Sequence, residues 1–286
     1  MAAQFPPPGS ADCHVHVIGP KTRFPLAAKR TYTPMDAPTA DLAAMLKRLG
    51  LDRVVLVQPS FYGTDNSCML DCMATLAGSR GVAVLPAEMP GSELDALHKA
   101  GVRGLRVNIA TGGTASVDQM RVDIAATAKL CARNGWHVQI FVPSTVLAAL
   151  DATVRALPVD TVIDHFGLVA PEKPGEAADT LVSLLESGKV WVKISGAYRI
   201  AADPSDPRID PLARRLVAAN PERAVWGSDW PHTPRHDLRK PGEAEELPFQ
   251  DIDTKGLLAL VPRWLGDDAL VRRVLVDNPA RLYEFR

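Results

Sequence analysis

Eight short, nearly unbroken apolar runs recur along this chain, and stretches with the spacing of amphipathic helices separate them. The runs cover residues 11–17, 53–59, 81–87, 104–109, 137–142, 161–165, 190–195 and 224–229, and the helical stretches cover 41–49, 65–80, 92–100, 117–134, 145–157, 176–187, 210–220 and 267–276. A strand that is buried on both faces loses the polar alternation of a half-exposed one, so continuous apolar strands alternating with helices imply a parallel sheet covered by helices. Eight such repeats, in a chain near the length of about 250 residues typical of that fold, predict a single-domain (β/α)8 TIM barrel over residues 11–286 behind an extended arm at 1–10. A doubly wound open sheet is the competing arrangement.

A net charge of −1 gives no bulk attraction to nucleic acid or to a membrane surface. No run reaches the roughly 18 apolar residues of a membrane helix, and the first residues lack the basic and apolar regions of a signal peptide. Cys13, Cys68, Cys72 and Cys131 show neither zinc-ribbon nor redox spacing, which fits reduced thiols in a cytoplasmic protein. The expected partner is therefore a small molecule, with the oligomeric state left open.

Barrel active sites lie at the C-terminal ends of the strands. His14, His16, Arg106, Gln139, His165, Ser195 and Asp229 all fall near such ends, so residues remote in sequence would share one mouth. In the first run, side chains two apart point to the same face, which aims His14 and His16 at one spot and turns Cys13, Val15 and Val17 away. Paired imidazoles suit a metal ion or a developing oxyanion.

The motifs Asp12-Cys13-His14-Val15-His16, Asp164-His165-Phe166-Gly167, Lys193-Ile194-Ser195-Gly196, Gly227-Ser228-Asp229-Trp230-Pro231 and Asn278-Pro279-Ala280-Arg281-Leu282-Tyr283, with Arg30-Thr31-Tyr32-Thr33-Pro34 in the first loop, span nearly the whole chain. Together they resemble the amidohydrolase superfamily, in its amidohydrolase-2 branch and the 2-pyrone-4,6-dicarboxylate lactonase-like group. The resemblance implies hydrolysis of a lactone or similar ester bond. Asp229 would be the general base that activates water, and His14, His16 and His165 would polarise the carbonyl.

Binuclear members of that superfamily add a carboxylated lysine at the end of the fourth strand, and typical mononuclear ones a histidine at the end of the fifth. This chain has Arg106-Val107-Asn108-Ile109 and Gln139 there, which argues against a binuclear centre. The expectation is direct polarisation by histidines and arginines, with no cofactor firmly required. The alternative is a single divalent ion, zinc or manganese, held by His14, His16, His165 and Asp229.

The substrate is expected to be an anion, because Arg30, Tyr32, Arg106, Arg199 and His232 surround the mouth and guanidinium forks match carboxylates. The pyrone-dicarboxylate pattern also has an arginine where Thr111-Gly112-Gly113-Thr114 stands and a tyrosine where Phe141 stands. A monocarboxylate lactone or a sugar-acid lactone is therefore as well matched as the dicarboxylate. The charged stretch 231–253 reads equally as a lid or as a solvated excursion. Two other reactions would use the same site, a lactone isomerisation and a metal-dependent decarboxylation. A barrel without catalysis would have lost Asp229 or the histidine pair, and this chain keeps both.

Overall fold

The computed structural model describes residues 4–110, 115–235 and 245–285. Its core is an eight-stranded parallel sheet of β1 (Ala11–Val15), β2 (Arg53–Val57), β3 (Ser79–Ala83), β4 (Val102–Asn108), β5 (His137–Phe141), β6 (Thr161–Ile163), β7 (Val190–Ser195) and β8 (Ala224–Gly227), paired in that order. The ends of the sheet meet. Asp229 N–H donates to the His14 carbonyl and His16 N–H to the Trp230 carbonyl, each at 2.8 Å, and Val15 bridges Trp230 in parallel. One carboxylate oxygen of Asp12 adds bonds to the amides of His14 (3.1 Å) and Ser228 (2.9 Å). Gly227 permits this approach, since a Cβ there would lie 2.6 Å from that of His14. The chain is the (β/α)8 barrel that the repeats predict.

The helices follow from spacing and stop signals. In α1 (Thr39–Leu49) the buried positions Leu42, Met45, Leu46 and Leu49 form one stripe, and Gly50 ends the helix at φ 69°. The others that cover the barrel are α2 (Ser67–Thr75), α3 (Gly91–Lys99), α4 (Val117–Ala132), α5 (Leu147–Arg155), α6 (Gly175–Glu186), α7 (Ile209–Ala219) and α8 (Thr254–Leu265). Helix α8 is not among the helices predicted from spacing, because Pro262 interrupts its periodicity in the last turn. Asp253 caps it, and Leu257, Leu258, Val261, Trp264 and Leu265 bury one face. The stretch expected as a last helix at 267–276 is helical from Asp268 and runs on to Leu282. No helix among the described residues is long and apolar enough to cross a membrane.

Two apolar layers result. Val15, Val54, Leu56, Leu105, Val138, Ile163, Val192 and Trp226 belong to the cluster that packs on the helices. Ala11, Cys13, Val55, Val57, Val82, Val162, Trp191 and Val225 fill the barrel interior with the C-terminal Tyr283 and Phe285. Cys13 is thus on the inner side, against the simple alternation expected of β1, because the register with β2 slips between Asp12 and Val15. That bulge lets Cys13 fill the core while His14 and His16 face the mouth. All four cysteines are buried and free.

Residues 111–114, and 236–244 of the stretch expected as a lid or charged excursion, lie outside the described residues. The flanking chain is anchored, since Glu246–Leu247 pairs in parallel with Thr33–Pro34 and the Gln250 amide bonds to the His232 carbonyl at 2.9 Å.

Candidate active site

Asp229 follows β8 with φ at 64°, a conformation that costs a non-glycine residue energy and that the surrounding bonds hold in place. Its side chain is fully buried, and its two oxygens have different surroundings. Oδ2 accepts from the Tyr198 hydroxyl at 2.7 Å and from Arg199 Nε. Oδ1 has no hydrogen-bond partner among the described residues and faces His16 Nε2 at 3.5 Å and His14 Nε2 at 3.8 Å. Burial works against its ionisation, yet the Arg199 guanidinium, His165, His16 and His14 together hold the carboxyl well below the usual range.

The three imidazoles are oriented from behind. His16 Nδ1 lies 2.7 Å from the Val57 carbonyl, which can only accept, so Nδ1 carries a proton and Nε2 is the ring nitrogen that faces Asp229. His165 lies beyond β6 at φ 50°, with Nδ1 2.9 Å from Ser195 Oγ and Nε2 4.0 Å from Asp229 Oδ2. Burial outweighs the nearby carboxylates and lowers His165 to about 4, so it is neutral near pH 7. Gly196 makes room for it, because a Cβ there would lie 2.8 Å from Nδ1. The His14 ring centroid lies 5.1 Å from that of His16 and 4.6 Å from that of His165. Burial and then Lys193 drive His14 well below the usual imidazole range.

Beneath this cluster lies a second one, built by Asp164 and Lys193, which the motifs contain without an assigned role, together with Arg106 and Gln139. Asp164 accepts from Arg106 Nε and Nη2 (3.3 and 3.2 Å) and from Gln139 Nε2 (3.0 Å), all on Oδ2. Its Oδ1 lies 3.4 Å from His14 Nδ1 and 3.7 Å from Lys193 Nζ. Burial is the largest influence on Asp164 and opposes ionisation, but His14, Lys193 and Arg106 prevail and hold it well below the usual range. Lys193 is fully buried and lowered by that burial to about 8. A charge inside an apolar strand run is costly unless paired, and that signal singled out Arg106. It applies equally to Lys193 and Asp164. Tyr198 had no comparable signal, because a lone tyrosine after a strand is commonly packing.

The mouth opens into a cleft with about 320 Å³ of empty space, lined by His16, Arg106, His165, Arg199 and Asp229 with Tyr32, Ser60, Asn108 and Thr233, against Pro59, Phe61 and Phe141. Of the residues expected to bind substrate, the structure brings Tyr32, Arg106 and Arg199 to this wall. His232 lies behind it, with Nδ1 3.4 Å from Tyr198 Oη and Nε2 2.8 Å from Thr254 Oγ1. Arg30 bonds within its own loop, to Thr33 Oγ1 at 3.0 Å and the Ala27 carbonyl at 3.2 Å, and is not among the lining residues. Phe141 packs edge-on to His165 at 5.2 Å and carries the Arg106 guanidinium over its ring, also at 5.2 Å. Trp226 is core and Trp230 packs on that core. Arg106 and Gln139 are register neighbours bound to one carboxylate, at the strand ends where a bridging lysine and a histidine ligand were sought.

A closed parallel barrel whose C-terminal mouth gathers three imidazoles and a carboxylate has the arrangement of a barrel enzyme, whose active site lies at that end. The chain belongs to the amidohydrolase family, which matches residues 11–285. It is 36% identical to a 2-pyrone-4,6-dicarboxylate hydrolase of Comamonas testosteroni, over 97% of this chain and 90% of that protein. It is 34% identical to a 4-sulfomuconolactone hydrolase of Hydrogenophaga intermedia, over 97% and 89%. It also superposes on a candidate 2-pyrone-4,6-dicarboxylic acid hydrolase of Acinetobacter baumannii, solved with citric acid bound, with a TM-score of 0.78 and 26% identity over 97% of this chain and 100% of that one.

Proposed function

We propose that this protein hydrolyses the lactone ring of a small carboxylated molecule, with Asp229 as the general base. The observation that carries the proposal is the division of labour within Asp229. Tyr198 and Arg199 fix Oδ2, while Oδ1 is buried, without a partner and turned toward the imidazoles. A water between Oδ1 and the cleft would lose its proton to Asp229 as its oxygen attacks the lactone carbonyl. A His165 whose Nδ1 accepts from Ser195 carries its proton on Nε2, where it can donate to the oxyanion. Collapse of the tetrahedral intermediate breaks the ring C–O bond, and the departing oxygen takes the proton back from Asp229. Water is consumed, and a hydroxyl and a carboxylic acid are formed, the acid ionising to a carboxylate as it releases its proton to solvent.

Two guanidiniums on the cleft wall, Arg106 and Arg199, support an anionic substrate. So do the relatives, whose names specify dicarboxylate and sulfonated lactones. Phe61, Phe141 and Pro59 provide apolar surface beside the charges. The proposed working partner is thus a small lactone-type anion, bound by Arg106, Tyr32 and Arg199, with His232 steadying Tyr198 from behind.

His14, His16 and Asp229 offer ligand atoms within 4.8 Å of one another, as do His14, Asp164 and His165. The first set fits a divalent ion, because His14 Nε2 and Asp229 Oδ1 are buried without partners among the described residues, and His16, tied to the Val57 carbonyl through Nδ1, leaves Nε2 as the nitrogen that could ligate. An ion there would act as a Lewis acid on the water or the carbonyl.

The test is turnover of a panel of carboxylated lactones by purified protein and by Asp229→Asn, before and after chelation. Asp229→Asn is expected to lose about 10²–10⁴-fold in kcat, the range for removing a positioned general base. An Asp229→Asn protein within a few-fold of the natural one would overturn the assignment. Activity that survives chelation supports polarisation by side chains. Activity that disappears and returns with zinc or manganese makes the imidazole cage a metal site.

A further inference from the structure

The strands pair by ladders from β1 round to β8, and the remaining joint, between β8 and β1, is made by individual bonds just beyond the end of β8. Two of them are main-chain bonds, from Asp229 N–H to the His14 carbonyl and from His16 N–H to the Trp230 carbonyl. A third tie comes from a side chain. Asp12 is fully buried, and its Oδ1 accepts from the amide of Ser228, across the joint at 2.9 Å, and from that of His14, in its own strand at 3.1 Å. Its Oδ2 has no hydrogen-bond partner among the described residues, so one oxygen makes the whole connection.

We infer that Asp12 is a positioning residue for the reaction, which by bonding the amides on both sides of this joint fixes the spacing between the histidines of β1 and the carboxylate that follows β8. Both sides need the hold. In β1 the register with β2 slips between Asp12 and Val15, so Cys13 and His14 have no paired residue in that ladder. The bond from Asp12 steadies the His14 amide at that slip. Beyond β8, Asp229 has a φ of 64°, a conformation that a non-glycine residue keeps only while its neighbours are held. Ser228, the residue before it, is held by Asp12, and Trp230, the residue after it, donates its N–H to Ser228 Oγ at 3.0 Å. The two strands are drawn so close that a Cβ on Gly227 would lie 2.6 Å from that of His14. Of the ties that cross the joint to this turn, the one from Asp12 is the one that a side-chain substitution removes while the main-chain bonds stay.

The inference rests on the proposed role of Asp229 as general base. Arg106 and Tyr32, which face the substrate from β4 and the first loop, do not depend on the joint, so its loosening should spare KM and lower kcat. The test compares Asp12→Ala with Asp12→Asn, which keeps an acceptor oxygen in the place of Oδ1. Asp12→Ala is expected to lower kcat by about 10²-fold, the scale of a misplacement of about 1 Å at a reaction centre, with KM for the lactone within a few-fold, and Asp12→Asn to restore most of the loss. Hydrogen exchange resolved by residue gives a second readout that needs no substrate. The His14 and Ser228 amides should be protected in the natural protein and in Asp12→Asn, and should exchange at least about tenfold faster in Asp12→Ala while the amides of β2 and β3 stay protected. If Asp12→Ala does not fold, Asp12→Ser, whose oxygen is one bond nearer the main chain, is measured in its place. A kcat within a few-fold of the natural protein, exchange that quickens throughout the barrel, or an Asp12→Asn as impaired as Asp12→Ala would each overturn the inference. Failure of the lactonase assignment would appear instead as no turnover by any of these proteins, with the expected exchange pattern intact.

Discussion

Arg106 lies between the two clusters. It lines the cleft, and it also braces Asp164 through Nε and Nη2. A hydrogen bond to a charged group is worth about 1.5–3 kcal/mol, so Arg106→Met should raise KM for a carboxylated lactone by about tenfold or more. The methyl ester of the same lactone should suffer much less. Comparison of kcat/KM for acid and ester in both proteins checks this, and equal losses for the two would place the effect in the Asp164 brace instead. Much of this centre was legible residue by residue. His14, His16, His165 and Asp229 each end a strand run, and the barrel rule brings them together. Asp164 and Lys193 carry the same signal as Arg106, a charge inside an apolar run, but that signal marks only a buried charge and not its partner, because nothing in the linear sequence records a contact between residues 29 positions apart. Arg30 and His232 carry the charge and ring expected of ligand-binding residues, but Arg30 bonds within its own loop and His232 packs behind Tyr198.

The elements were predicted by their apolar runs, while the devices that make the barrel work at its two ends were not. The bulge in β1 inserts one residue into a pattern whose period is two, and alternation alone therefore sends Cys13 to the wrong layer. The C-terminal chain is the other device. Tyr283 is fully buried in the interior cluster, its ring edge-on to His137 at 5.4 Å. Removing such a ring leaves a cavity, and Tyr283→Ala should cost about 3–5 kcal/mol of stability. The hydroxyl has no partner among the described residues, so Tyr283→Phe should be nearly neutral or slightly stabilising. Urea denaturation of both variants checks the pair, and a Tyr283→Phe as damaging as Tyr283→Ala would show that the hydroxyl, not the ring, matters. Helix α8 escaped notice because Pro262 interrupts a stretch whose burial comes from tertiary packing, not from local propensity.

At the scale of the whole molecule, the barrel keeps ionisable groups in dry surroundings, and its stability should follow pH accordingly. Burial lowers His137 to about 3 and His165 and His232 to about 4, whereas unfolded histidine titrates near about 6.5. As pH falls from about 6.5 toward 4, the unfolded chain takes up protons that the folded one refuses, so stability is lost through that window. Asp12, raised by burial to about 6, opposes this, because there the folded state binds the proton the unfolded one lacks. His14, held well below the usual imidazole range, acts the same way; four groups against one leave a net loss, and the urea midpoint should fall on acidification, whereas a flat or rising midpoint would contradict these shifts. The fold class, the mouth and the arginines that face it could be read from the sequence, while the reaction itself depends on where one oxygen atom goes. The most direct measurement is therefore turnover of a carboxylated lactone in oxygen-18 water, with mass analysis of the product. The account predicts a ring-opened acid carrying one solvent oxygen in its new carboxylate, formed by the natural protein and not by Asp229→Asn. A product of unchanged mass without solvent oxygen, or one that has lost carbon dioxide, would contradict hydrolysis and make the centre an isomerase or a decarboxylase.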